Sequence, residues 1–132
     1  CIQARGGVAL FIDYGHERTS PGDTLQAVRA HGFAPVLATP GEQDLTAHVD
    51  FEAVAKAATD AGAAVTAPVA QGEWLLRLGI EARAQSLSRA NPDRANDIQV
   101  ALERLTSREK MGELFKVIAL HSRDWPAPAG FA

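Results

Sequence analysis

The stretch Val8-Ala-Leu-Phe-Ile-Asp-Tyr-Gly15 limits what this chain can become more than any other. Five apolar residues run without a break into Asp13, Tyr14 and Gly15. An unbroken apolar run bounded by glycine predicts a strand buried on both faces, as in the middle of a parallel sheet. Open α/β sheets hold ligands beyond the carboxyl ends of their strands. The polar group Asp13-Tyr14-Gly15-His16 is therefore expected where such sheets keep their chemistry, with the rest of the chain layered around this strand.

The chain has 132 residues, enough for one core and one domain. With a net charge of −3 and no dense basic run, nothing in the sequence suggests a nucleic-acid surface. The single cysteine, Cys1, can form neither an internal disulfide nor a thiolate cluster, which fits a reducing, intracellular home. No apolar run approaches the ~18 residues of a membrane span, and no charged-then-apolar leader precedes the first strand. The chain begins without methionine, and Cys1–Gly7 reads as the end of a helix and a turn. The segment is expected to be the C-terminal part of a longer protein, because a central strand needs more neighbours than the two further strands found below.

Residues 16–22 are polar and carry Pro21 and Gly22, a loop pattern. Asp23 or Thr24 is expected to cap a short helix with Leu25 and Val28 on one face, closed by Gly32. Residues 33–49 are poorly periodic and predict a long ordered loop, with at most a turn of helix. Asp50 is a good N-cap for a helix over 51–61, with Phe51, Val54, Ala55 and Ala58 inward and Gly62 as its end. Residues 63–69 predict a strand. Residues 73–90 predict a helix interrupted at Gly79, with Trp74, Leu75, Leu78, Ala82 and Leu87 as its buried stripe. Asn91-Pro92 predicts the next helix start, running to about Leu105. Ser107 would cap a short turn stopped by Gly112, and residues 114–121 predict the last strand.

Three groups could carry chemistry. Asp13 could accept hydrogen bonds from a ligand or hold a guanidinium, with Tyr14 adding a ring face; alternatively Asp13 braces the next loop and Tyr14 packs. Asp44, His48 and Asp50 place an imidazole between carboxylates, which suits a general base, a metal ligand or a structural hydrogen bond. A metal site would need more ligands than these neighbours offer, so a metal-dependent hydrolase centred on His48 is the least supported reading. Gln71-Gly72 could admit a close backbone or ligand, or be a plain strand-to-helix turn. The chain holds no Gly-x-Gly-x-x-Gly, P-loop, Gly-x-Ser-x-Gly or cysteine pair.

Five stretches in order carry a resemblance: Leu-Phe-Ile-Asp-Tyr-Gly (10–15), Gly-Asp-Thr-Leu-Gln-Ala-Val (22–28), Asp-Leu-Thr-Ala-His-Val-Asp-Phe (44–51), Gln-Gly-Glu-Trp-Leu-Leu-Arg-Leu-Gly-Ile (71–80) and Met-Gly-Glu-Leu-Phe-Lys-Val-Ile (111–118). Together they resemble the MidA-like family of S-adenosylmethionine-dependent methyltransferases. That family includes mitochondrial protein arginine methyltransferases needed for respiratory complex I assembly. The resemblance implies an α/β chain, the C-terminal portion of a Rossmann-like class I methyltransferase fold. In it residues 8–13 would be the fifth strand, one of the last two strands would run antiparallel, and a helical insertion over about 73–112 would lie between them. All 132 residues would belong to one methyltransferase domain.

It also implies methyl transfer to a protein arginine. Asp13 and Tyr14 would be the catalytic residues, and Gly15, His48, Asp50 and Gln71 would belong to the substrate side of the pocket. The family's glycine-rich cofactor loop, its acidic ribose-binding residue and its Asn-Glu strand end have no counterpart here, so S-adenosylmethionine would be bound mainly by an upstream part. The implied partner is a protein substrate, a respiratory complex I subunit among the options, and a homodimer is left open. The implied compartment is the bacterial cytoplasm, with the mitochondrial matrix as the alternative. A competing reading is a non-catalytic assembly module whose insertion helices dock a subunit of that complex.

Overall fold

The computed structural model describes residues 2–131, with Gln3 described in its backbone only; Cys1 and the expectation attached to it lie outside. After a short helical stretch, α1 (Ile2–Arg5), the chain enters β1 (Val8–His16). The neighbour of β1 is the last strand, β8 (Phe115–His121), which is antiparallel and in register from Val8↔His121 to Tyr14↔Phe115. On the far side of β8 lie β6 (Ala64–Val65) and β7 (Val69–Ala70), both antiparallel to it. A two-residue strand, β5 (Val49–Asp50), runs parallel to the end of β1, at Gly15 and His16. The order is β5-β1-β8-β6, with β7 also on β8.

This arrangement corrects the expectation for the first strand. The central buried strand is β8, whose Val117, Ile118 and Ala119 are fully buried. Val8, Leu10, Phe11 and Ile12 of β1 remain 42–48% exposed. The apolar run has the composition of a covered strand, but among the described residues its edge opposite β8 is paired only at Gly15 and His16. The expected antiparallel member of the last pair is β8.

The expected single strand over 63–69 is split. Pro68 has no N–H to give, and the chain steps off the ladder at residues 66–68. Thr66 repairs the step: its N–H donates to the Ala119 carbonyl at 3.0 Å, and its hydroxyl accepts the Ala119 N–H at 3.0 Å.

Between β1 and β5 the chain builds a second sheet. Its strands are β2 (Gln26–Arg29), β3 (Gly32–Ala34) and β4 (Asp44–Thr46), antiparallel in the order β3-β2-β4. A helix capped by Asp23 or Thr24 was expected here, and the structure overturns it. Asp23 Oδ1 instead accepts the Leu25 N–H at 2.9 Å, and the Thr24 hydroxyl accepts the His48 N–H at 3.1 Å. Ala30 and His31 take φ of 49° and 64°, a left-handed pair that joins Arg29 to Gly32 as a two-residue hairpin. Gly32 therefore opens a strand and caps no helix. The expected long loop is ordered but holds β3 and β4, and the Gln43 amide ties its remainder by donating to the Pro35 and Val36 carbonyls.

Helix α2 (Phe51–Asp60) forms as its signals predict. Asp50 caps it by accepting the Ala53 N–H. At its end Gly62 (φ 84°) donates to Thr59 and Ala63 donates to Ala58, a paired closure that needs a left-handed residue. Phe51 is fully buried.

The helical insertion consists of α3 (Gln71–Arg77), α4 (Ile80–Ala90), a 3-10 turn (Pro92–Arg94), α5 (Ala95–Thr106) and α6 (Met111–Leu114), all between β7 and β8. Gly79, at φ 81°, separates α3 from α4, so the expected single interrupted helix is two helices. The turn changes which side faces in: Leu78 and Ala82 are exposed, and Ala84 is buried. The Asn91 side chain closes α4 by donating to the Leu87 carbonyl at 3.1 Å and does not cap the next helix. The Ser107 hydroxyl is buried without a partner among the described residues; its carbonyl accepts the Lys110 and Gly112 N–H groups. Gly112 lies inside α6 and does not stop it. A Cβ at either Gly72 or Gly112 would run into the Thr106 carbonyl, so both glycines allow α3 and α6 to close on the end of α5. Among the described residues no helix is long and apolar enough to cross a membrane.

Candidate functional site

The end of β1 is shaped first by what Gly15 lacks. A Cβ there would collide with the Val49 carbonyl and sit 2.9 Å from the Phe51 ring. Its absence lets β5 lie directly alongside, which brings His48 over Tyr14. The two rings meet edge to face, with centroids 6.0 Å apart and planes at 66°. On its other side Tyr14 meets Phe115 at 5.6 Å and 83°, as their shared register requires. Both contacts have the geometry that aromatic quadrupoles favour.

Tyr14 and His48 form one wall of a cavity of about 270 Å³. The opposite wall is the second sheet, which contributes Gln26, Val28, Phe33 and Thr46, while Leu114 from α6 closes one side. The register explains the grouping: Gln26 faces Thr46 and Val28 faces Phe33, so all four share one surface of the sheet.

Asp13 points the other way, because neighbouring strand residues alternate. It pairs in register with Lys116, and its Oδ1 accepts the Tyr14 N–H at 2.8 Å. No partner of Oδ2 is seen among the described residues. Lys116, only 8% exposed, lies 3.3 Å from Glu17 and 3.1 Å from Glu113. The hydrogen bond and charge of Lys116 hold the Glu113 carboxyl below its ordinary value, with a smaller contribution from Arg108. Lys116 thus links α6 to the loop that follows β1.

Asp50 is fully engaged. Oδ1 accepts the Ala53 N–H at 3.0 Å and Oδ2 accepts the Thr19 hydroxyl at 2.7 Å. Those two bonds, then the His16 charge, keep its carboxyl below the usual value. Glu52 accepts the Thr19 N–H at 2.7 Å, so the loop after β1 is tied to the start of α2. Gln71 is 5% exposed and donates to the Leu105 carbonyl at 2.9 Å, near the end of α5. Of the residues singled out from the sequence, Tyr14 and His48 come together in the cavity. Gly15 positions them, Asp13 flanks them on the opposite face, and Asp50 and Gln71 bind elsewhere. Among the described residues no three of His, Cys, Asp or Glu converge as metal ligands would, the Asp44, His48 and Asp50 group included. The cavity residues Gln26, Val28, Phe33, Thr46 and Leu114 carry no titratable group, and only the strand alternation of residues 26–28 could have pointed to them.

Comparison with known proteins decides the family. Residues 1–69, just over half of the chain, match the family described as "Putative S-adenosyl-L-methionine-dependent methyltransferase". The chain belongs to this family. It is 41% identical over 123 residues to "Protein arginine methyltransferase NDUFAF7 homolog, mitochondrial" of Drosophila melanogaster, covering 90% of this chain and 28% of that protein. To the Homo sapiens "Protein arginine methyltransferase NDUFAF7, mitochondrial" it is 36% identical over 121 residues, again 90% of this chain and 27% of the other.

A crystal structure of a COG1565 superfamily protein from Burkholderia thailandensis has the same fold, with a TM-score of 0.86 at 33% identity over 97% of this chain and 36% of that one. A second, of a superfamily member from the same organism bound to S-adenosyl-homocysteine, gives 0.84 at 34% identity over 96% and 34%. The fold is that of a Rossmann-like methyltransferase, and the chain spans well under half the length of the proteins it matches.

Proposed function

We propose that this chain is the C-terminal part of a single methyltransferase domain that transfers a methyl group from S-adenosylmethionine to an arginine of a protein. The observation that carries this reading is the likeness, at a TM-score of 0.84, to a protein crystallised with S-adenosyl-homocysteine, the product such a transfer leaves behind. The relatives named as protein arginine methyltransferases supply the acceptor. The sequence carries no Gly-x-Gly-x-x-Gly, so in this reading S-adenosylmethionine is held mainly by an upstream part. Its share is the acceptor side of the reaction.

S-adenosylmethionine, when bound, supplies an electrophilic methyl group on a sulfonium. What remains for the protein is to hold the acceptor nitrogen in line and keep water out. Asp13 Oδ2 is the carboxylate oxygen left to orient a guanidinium, while Tyr14 and His48 line the cavity on the other face of β1. Asp50 fixes the loop after β1, and Gln71 fixes the base of the insertion. The acceptor would be a respiratory complex I subunit, in mitochondria for relatives so named and in the cytoplasm for a bacterial chain.

Asp13→Asn in the full-length protein is expected to lower methyl transfer about 100-fold while leaving S-adenosylmethionine binding, read by calorimetry, nearly intact. Unchanged transfer would remove Asp13 from the mechanism. A second reading, a non-catalytic assembly module, is favoured by the apolar cleft of about 260 Å³ between α4 and α5, lined by Ile80, Leu87, Ile98 and Leu105 among others. A full-length protein that binds its partner but not S-adenosylmethionine would select it.

A further inference from the structure

We infer that the cavity between β1 and the second sheet receives an apolar side chain of the acceptor polypeptide, one that flanks the arginine to be methylated. The inference rests on the methyltransferase reading above and adds what part of the substrate is recognised.

The lining decides the chemistry. Val28, Phe33 and Leu114 are apolar, Tyr14 and His48 present ring surface, and Gln26 and Thr46 are polar but uncharged. Among the described residues no carboxylate lines it, so a guanidinium would be stripped of water there without a counter-charge. The carboxylate of this region, Asp13, lies on the opposite face of β1, in register with Lys116. A guanidinium held by Asp13 and a side chain held in the cavity would therefore lie on opposite faces of β1, at the neighbouring positions 13 and 14.

The size fits one side chain. A dry cavity of roughly 150 Å³ accommodates a benzene ring, and drug-sized ligands occupy about 300–1,000 Å³. At about 270 Å³ the space suits a residue from leucine to phenylalanine and is small for a cofactor.

The surroundings favour a polypeptide over a small molecule. Strand β3 is the outer strand of its sheet, and among the described residues its edge away from β2 is unpaired. An extended segment can pair with such an edge through its main chain while alternate side chains enter pockets. Phe33, on that strand and 83% exposed, stands at the rim of the cavity and can cover whatever enters.

The test uses the full-length protein, S-adenosylmethionine and a peptide library with one fixed arginine and randomised positions on either side. Leu, Ile, Met or Phe is expected to be enriched at one flanking position, about tenfold over Ala. Phe33→Ala, at a site too exposed to matter for folding, is expected to erase that preference, and Phe33→Leu to keep most of it. Thr46→Asp, which puts a charge on the wall, is expected to reverse it. Cofactor binding should be equal in all four proteins. Methylation with no apolar preference, a preference untouched by Phe33→Ala and Thr46→Asp, or cofactor binding with no peptide methylated would each overturn the inference alone. A wild-type protein that neither binds the cofactor nor methylates any peptide would overturn the methyltransferase reading, and the inference with it.

Discussion

Asp50 does two jobs with one carboxylate. One oxygen caps α2 through the Ala53 N–H, and the other takes the Thr19 hydroxyl from the loop after β1. Both bonds favour the ionised form, and the His16 charge adds to them, so the folded chain holds this group below its ordinary 3.8. A carboxyl lowered by folding stabilises the fold fully above its unfolded value, and that contribution disappears as pH falls through the folded one. Asn caps a helix about as well as Asp but does not ionise. The melting temperature of the wild type should therefore exceed that of Asp50→Asn by a constant margin near neutrality. The margin should shrink below about pH 4. Glu113 is lowered in the same sense by Lys116, so the acid limb of the variant should be shallower, not flat. A margin independent of pH would mean that Asp50 acts through shape alone.

At the level of elements, the hairpin between β2 and β3 is the least comfortable piece of backbone. Ala30 and His31 occupy a left-handed conformation that suits Asn and Gly, so the double change Ala30→Asn, His31→Gly should raise stability by about 0.5–1 kcal/mol, read as a shift in urea midpoint. The same turn explains what the sequence concealed. Helix α2 was legible because its cap, its apolar spacing and Gly62 all agree locally. The strand character of residues 8–16 was legible from an unmixed apolar run. The second sheet was not, because its strands are three or four residues long, its turn lacks the Asn-Gly signature, and Leu25 and Val28 are spaced as for one face of a helix. The cavity inherited that difficulty. Tyr14 and His48 stood out as chemical residues, but the wall facing them comes from a sheet whose pairing is decided by contacts between distant residues. Gln71 stood out as a donor and acceptor, and its donor goes to a carbonyl 34 positions away, which no local pattern could reveal.

At the level of the molecule, the open side of β1 dominates. Val8, Leu10, Phe11 and Ile12 present a row of half-exposed apolar side chains beside an edge that is unpaired from Val8 to Tyr14 among the described residues. Such edges recruit other strands, and a lysine is the usual deterrent. The 132-residue chain on its own should self-associate with rising concentration, and Phe11→Lys should suppress this, as measured by sedimentation velocity. Association unchanged by Phe11→Lys would direct attention to Phe33 and Leu37, the most exposed large apolar groups among the described residues.

The helices from Gln71 to Leu114 leave the sheet at Ala70 and return to it at Lys116, and those two residues are themselves paired across β7 and β8. Topologically the whole excursion is the tip of an ordinary β-ribbon, swollen with helices and pinched at its neck where Gly72 and Gly112 crowd one carbonyl. Because closing a longer loop costs only about 0.6 kcal/mol per doubling of length, that neck is a place where a lineage can trade one bundle for another. The strands beneath would have little reason to notice.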